Sequence, residues 1–281
     1  MAALALAPVS GTVTSGLSGA QIHRILDLAR WPRELRDIDD GQFIMAEWVL
    51  TGQKALASIQ EIVDSELGIF FIDAAGVATF HDYAHRWSDT RSLNVQATFS
   101  DVDADITAGA IPYKFGGLVP SFDDDTTVTE WTVSTSDGSS ATVRDVVGSR
   151  QSFPLAQSRS TRLSSIVDAE TQALNLLQHT ARAGQRFDKA LVLPESSRVP
   201  DKDAAWQAVL GLEISDRVRV IRTPSVGSAI AQDCFVEAIE IEEDPGQWEV
   251  TFSLSPVSAA SFYETALRSE PISYYRLDAT S

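Results

Sequence analysis

The chain has one cysteine, Cys234, among its 281 residues, which excludes an intrachain disulfide and a site built from several thiolates. That cysteine lies in an apolar-rich strand candidate, where burial is expected. Basic residues are scarce: 22 Lys and Arg stand against 39 Asp and Glu, a formal net charge of −17. This balance opposes tight binding to a nucleic-acid backbone. An acidic surface permits a passage to which DNA must not adhere, but many proteins are acidic for solubility alone, and that is the simpler reading. Long apolar runs are missing, so no stable membrane insertion is expected. The opening Met1 to Pro8 is short, has no basic flank and precedes Gly/Ser/Thr-rich sequence; it reads as neither a secretory leader nor a span. Residues 1–17 are therefore expected to form a flexible N-terminal arm. Gly-x-Ser-x-Gly, Walker, dinucleotide-fingerprint and His-Glu-x-x-His patterns are all absent, so no cofactor and no catalytic residue is assigned.

With 44% hydrophobic residues, the chain can bury one large core or two moderate ones. The stretch from Asp64 to His81 is the most legible: a helix end, the apolar run Ile69 to Ile72, the turn Asp73-Ala-Ala-Gly76 and a return strand. Gly76 supplies the positive φ such a turn requires. Upstream, Ile22, Ile25, Leu26 and Ala29 recur at helical spacing over Ser18 to Arg30, with Ser18 as an N-cap candidate. Phe43 to Leu50 reads as a strand and Gly52 to Glu66 as a second helix. Residues 18–90 thus form an α+β unit, and Arg86 to about Pro120 reads as a connection.

The second half is β-rich. Val128 to Thr135 and Ser139 to Val147 flank Ser136-Asp137-Gly138 as a hairpin, with Thr129, Trp131, Val133 and Thr135 on the buried face. One long helix is expected over Asp168 to Arg182. Strands are expected over Phe187 to Leu193, Leu212 to Ile221, Ala229 to Glu243 and Gln247 to Leu254. The fold class is α+β, with antiparallel curved sheets or a small β-barrel-like domain and packed amphipathic helices. Residues 91–257 form the β-rich domain, and 258–281 a C-terminal docking segment carrying Phe262, Tyr263, Tyr274 and Tyr275. Four aromatics in a free tail would be wet, which marks them as interface candidates.

Several groupings invite chemistry and none carries it. His81, Asp82 and His85 are metal-ligating types, but at a strand end positions 81 and 85 need not converge. Asp123-Asp124-Asp125 lacks the alternating ligands and the glycine of a calcium loop, and reads as a surface turn. Asp64 with Glu66, and Glu240 with Glu242 and Glu243, are acid pairs in an acid-rich chain, the latter suited to a solvated strand edge. Ser149, Ser152 and His179 have no sequence logic as a triad. Trp31, Trp48, Trp87, Trp131, Trp206 and Trp248 are dispersed, as core anchors are.

The order of pieces resembles the minor tail or baseplate-hub proteins of long-tailed bacteriophages, especially those infecting actinobacteria. The resemblance is carried by Gly19 to Pro32, by Gly52 to Glu66 leading into Gly68 to Gly76, and by Val77 to Phe80. Farther on it is carried by Ile111-Pro-Tyr113, Phe122-Asp-Asp124, Val143-Arg-Asp145 and Trp248 to Pro256. It implies a non-enzymatic structural component at the distal end of the virion tail, trimeric or otherwise ring-forming. Implied partners are the distal tail or tube protein, the tape-measure protein and tip or fibre proteins, with DNA passing through without specific binding. Such hubs usually carry strands before the first helix; here only the residues before Ser18 precede it. A tail-tip cell-wall hydrolase and a receptor- or carbohydrate-binding tail module are the alternative readings.

Overall fold

A computed structural model describes residues 2–122, 128–145, 155–180, 185–224, 226–244 and 247–257. A short helix, Ala2–Leu6, opens the chain. Seven strands then build the first lobe: β1 (Pro8–Val13), β2 (Gly16–Leu17), β3 (Arg36–Ile38), β4 (Ile44–Met45), β5 (Trp48–Lys54), β6 (Ile69–Ile72) and β7 (Ala78–His81). The expected arm is thus replaced by structure. β1 pairs antiparallel with β5, and Leu4, Val9 and Val13 are buried, because even a Ser/Gly/Thr-rich strand closes a sheet edge when its valines face the core. Strands do precede the first long helix.

That helix, Ser18–Leu28, buries Ile22, Ile25 and Leu26; its N-cap is Leu17 rather than Ser18, and no side chain caps it. Asp40 takes up the Gly19 N–H instead, at 3.0 Å. Helix Ala55–Glu66 starts later than expected because Gly52 belongs to β5. It ends on Leu67 in the left-handed region and hands over to Gly68 and β6. In the β6–β7 turn Gly76 has φ +84°, and the Asp73 carboxylate accepts the Ala75 and Val77 N–H groups at 2.9 and 2.7 Å.

Residues 86–120, expected as a connection, are largely ordered elements. Helices His85–Ser88 and Thr90–Leu93 lead into β8 (Val95–Ser100), and helix Asp103–Thr107 leads into β9 (Ile111–Phe122). Next come β10 (Glu130–Ser134), β11 (Ser140–Arg144), β12 (Ala156–Ser160) and helix Ile166–Thr180. β10 and β11 form the expected hairpin, and β12 joins β10 in parallel. Thr129, Trp131, Val133 and Thr135 are buried as expected, and so is Val128. This insertion packs on the first lobe: Trp131, Val133, Leu163, Ala173 and Leu177 complete that lobe's core.

The chain then makes β13 (Gln185–Val192), helix Lys202–Gly211, β14 (Arg217–Arg222), β15 (Ile230–Asp244) and β16 (Gln247–Pro256). Six strands close a barrel in the order β13-β16-β15-β14-β8-β9, sealed by β9 against β13. Its interior is filled by side chains including Phe99, Phe187, Val220, Cys234 and Phe252, as small barrels are. Phe99 and Phe252 stack with centroids 5.3 Å apart. Burial pushes the Cys234 thiol up to about 12. Val209 and Leu212, at the end of the unexpected helix, join this core.

Candidate functional site

The α+β fold places most of the chemistry where the first lobe meets the barrel. β7 ends on His81, and a tight turn through Asp82 starts the next helix at His85. The two imidazoles therefore stack, with centroids 3.5 Å apart and planes 8° from parallel. The expectation that these rings need not meet is corrected: the turn, in which Asp82 accepts the His85 N–H at 2.8 Å, substitutes for helical spacing.

Their nitrogens serve separate partners. His81 Nδ1 lies 3.2 Å from Ser215 Oγ of the barrel, and His85 Nδ1 lies 2.9 Å from Asp39 Oδ2. Asp39 also accepts the Asp82 N–H at 3.0 Å, and Asp82 accepts from Gln42 Nε2 at 2.8 Å. Gln42 N–H in turn donates to Glu66 at 2.7 Å. Among the described residues no group of three or more His, Cys, Asp and Glu is placed to hold a metal.

Burial, followed by repulsion from His85, lowers His81 from 6.5 to about 4. Burial also pulls on His85, but the Asp39 hydrogen bond and nearby carboxylates outweigh it and the net shift is upward. Burial would raise Asp39; bonds from His85 and the Asp82 backbone win and hold it below the usual carboxylate range. Glu66 goes the other way: burial lifts it from 4.5 to about 7 despite backbone N–H donors. The arrangement is two stacked imidazoles driven apart in proton affinity: burial disfavours the charged form of His81, while Asp39 favours it at His85.

Two ion pairs bind the linker helices to the barrel. Arg86 Nη2 lies 2.7 Å from Glu237 Oε2, and its guanidinium sits 4.8 Å over the Phe235 ring. Arg91 reaches both Asp216 carboxylate oxygens, at 2.8 and 2.5 Å, and donates to the Gly211 carbonyl at 2.6 Å. Beside the histidines opens a cavity of about 480 Å³, bounded by Leu67 and Trp87 of the first lobe, Leu176 of the inserted helix and Phe235 of the barrel.

A serine bonded to a histidine beside a cavity has the ingredients of a nucleophile. Ser215 even has a left-handed backbone, φ 75°. The setting is structural in character, however. Ser215 is 1% exposed, its N–H is held by the Val236 carbonyl at 2.8 Å, and its own carbonyl accepts from Ser92 Oγ at 2.8 Å. A histidine lowered to about 4 is also a weak base at neutral pH.

The remaining groupings stay apart. Glu66 is buried while Asp64 is exposed to solvent, and Glu240 and Glu242 are exposed along β15. Trp206 and Trp248 meet edge to face at 5.6 Å, whereas Trp48 and Trp131 sit in the first core. Asp123-Asp124-Asp125, Ser149, Ser152, the His179 side chain, Phe262, Tyr263, Tyr274 and Tyr275 lie outside the described residues. Sequence reasoning singled out His81, Asp82 and His85 but missed their neighbours Asp39, Ser215, Asp216 and Glu237. It also missed Phe115 on β9, which is 99% exposed.

No family model and no curated protein matches the sequence. Solved structures do match. The 43 kDa tail protein of prophage MuSo2 from Shewanella oneidensis superposes with a TM-score of 0.56 at 12% identity, over 90% of this chain and 68% of its own. A tail protein from Neisseria meningitidis gives 0.57 at 12% identity, over 90% of this chain and 71% of its own. At such identity the likeness is one of architecture: this chain has the fold of phage tail proteins.

Proposed function

We propose that the chain is a structural component of the distal end of a phage tail, forming a hub or ring that joins the tail tube or distal tail protein to tip or fibre proteins. The observation that carries this reading is a fold likeness to tail proteins that extends over 90% of the chain. The narrower resemblance to hubs of actinobacteria-infecting phages belongs to the same proposal, as do a homotrimer or other closed ring and contact with the tape-measure protein. A ring works by multivalency: each copy makes modest contacts, and closure raises the effective concentration of the next.

A DNA passage would have to run between copies, since the barrel of each chain is packed solid with Phe99, Phe187 and Phe252. The charge of −17 suits a wall that DNA slides past without specific binding. The contact candidates are Phe262, Tyr263, Tyr274 and Tyr275, joined by the exposed Phe115, because aromatic anchors carry much of an interface's energy. No catalytic role is proposed. Native mass spectrometry of the purified chain, alone and with neighbouring tail proteins, tests ring formation. Persistent monomer under both conditions argues against it.

One observation favours a second reading. The Ser215–His81 pair beside the cavity supplies two of the three groups of a nucleophile triad, which a tail-tip cell-wall hydrolase would use. Zymography on host wall separates the two: clearing lost on Ser215→Ala supports the hydrolase, and no clearing by the parent chain supports the structural role. Binding of a receptor or carbohydrate is the third reading, tested by glycan binding that substitution of a half-buried tryptophan such as Trp206→Ala abolishes.

A further inference from the structure

We infer that Phe115 of one copy seats in the inter-lobe cavity of the next, as peg and socket of the contact between copies, an inference that rests on the proposed ring.

The peg arises from a mismatch of register. Tyr113 and Leu118 of β9 stand opposite Val192 and Ala190 of β13, so the four residues from Lys114 to Gly117 face Leu191 alone. The surplus cannot lie in the ladder and loops out of the barrel wall as an enlarged bulge. Two glycines permit it. Gly116 takes φ +76°, and a Cβ on Gly117 would stand 3.0 Å from the Cβ atoms of Leu191 and Lys114. Lys114 pins the bulge, its Nζ 2.7 Å from Glu249 Oε1. What this construction presents is the Phe115 ring, which is 99% exposed and is the one aromatic left so open among the described residues. An aromatic held out on a pinned bulge is an anchor for a partner's pocket.

The socket is the cavity of about 480 Å³, which falls within the roughly 300–1,000 Å³ of pockets that enclose drug-sized groups and has room for an aromatic ring. Leu67, Trp87, Leu176 and Phe235 give it an apolar wall. Its charges balance: Arg86, Arg159 and Arg186 stand against Asp64, Asp82 and Glu237, with Arg86–Glu237 and Arg159–Asp64 as pairs. Such a lining favours a neutral, apolar guest, because a charged one would break an existing pair or stay unpaired. Phe115 does not fill the cavity of its own chain, as its exposure shows. Peg and socket are thus different surfaces of one chain. Their contact is head-to-tail, the type that repeats from copy to copy and closes a ring when the rotation allows.

The test is photo-crosslinking in an equal mixture of full-length chains: isotopically labelled copies carrying p-benzoylphenylalanine at position 115, and unlabelled copies without it. The expected result is mixed-label crosslinks to residues 63–69, 83–87, 176 or 235. In a second mixture the unlabelled copies carry Leu67→Asn, a change that the left-handed backbone at that helix end accepts. Their mixed-label yield is expected to fall about fivefold as the wall loses apolar surface. Native mass spectrometry of the same samples separates two failures. Assembled chains whose mixed-label crosslinks map elsewhere, are missing, or are indifferent to Leu67→Asn would overturn the inference and leave the ring standing. Chains that stay monomeric, alone and with neighbouring tail proteins, would overturn both.

Discussion

Arg86 binds the barrel twice: its Nη2 lies 2.7 Å from Glu237 Oε2, and its guanidinium plane covers the Phe235 ring at 4.8 Å. Glu237 also accepts from Ser255 Oγ, so the carboxylate is fixed from two sides. Both charged groups are partly buried, where a charge-assisted bond contributes more than on the open surface. Arg86→Ala is expected to cost about 1–3 kcal/mol. Arg198→Ala is the control: it pairs at 3.4 Å with the solvent-exposed Asp103 and is expected to cost under about 0.5 kcal/mol. Urea unfolding of both variants checks the difference, and equal losses would contradict the bracing role of Arg86.

Stability against pH should hide two opposing slopes. His81 is lowered from 6.5 to about 4, so through that interval the unfolded chain takes a proton that the folded chain refuses. Its contribution falls as pH falls. Glu66 is raised from 4.5 to about 7, so the folded chain keeps a proton that the unfolded chain releases, and that contribution falls as pH rises. The raised His85 acts above the overlap and the lowered Asp39 below it. Glu66→Gln leaves the histidine slope alone. The variant should lose stability at up to about 1.4 kcal/mol per pH unit on acidification through the overlap, where the parent is flatter. Identical pH profiles for parent and variant would contradict this.

Gly68 and Gly76 flank β6 for different reasons. A Cβ on Gly68 would stand 2.6 Å from the His81 carbonyl oxygen and 2.8 Å from the Phe80 ring. One on Gly76 meets nothing within 4 Å, and only its φ of +84° resists substitution. Gly76→Ala should therefore cost about 1 kcal/mol, and Gly68→Ala more, because the β6–β7 pair must part to admit the methyl. Thermal unfolding ranks them, and the reverse order would be inconsistent with the close approach at Gly68.

Phe115 is 99% exposed on β9 and contributes nothing to either core. Phe115→Ser is expected to leave monomer stability within about 0.5 kcal/mol while weakening self-association at least about tenfold, as loss of an aromatic anchor does. Sedimentation velocity across a concentration series reads the second effect directly.

The sequence was readable wherever structure is local. The β6–β7 turn and the β10–β11 hairpin each combine apolar alternation with a turn residue, and both form as expected. β9 was hidden because Pro112 and Gly116-Gly117 break its alternation, and its partner β13 carries two register shifts opposite it. β12 is Ala-Gln-Ser-Arg-Ser, too polar to announce a strand, and its parallel pairing comes from residues far back in the chain. Helix Lys202–Gly211 buries only Ala205 and Val209, so it shows little apolar periodicity. The site fared similarly. His81 and His85 were visible as a cluster, but Ser215 lies 134 positions from His81 and Glu237 lies 151 from Arg86. Pairings at that separation follow from barrel closure and leave no local pattern.

The central claim is that this chain builds tail by joining copies and neighbours. A cryo-electron microscopy reconstruction of the intact particle tests it most directly. The account predicts density for the chain in a closed ring at the distal end of the tail, with barrels packed and the passage between copies. A chain absent from that ring, or an isolated monomer holding substrate against Ser215, would contradict it.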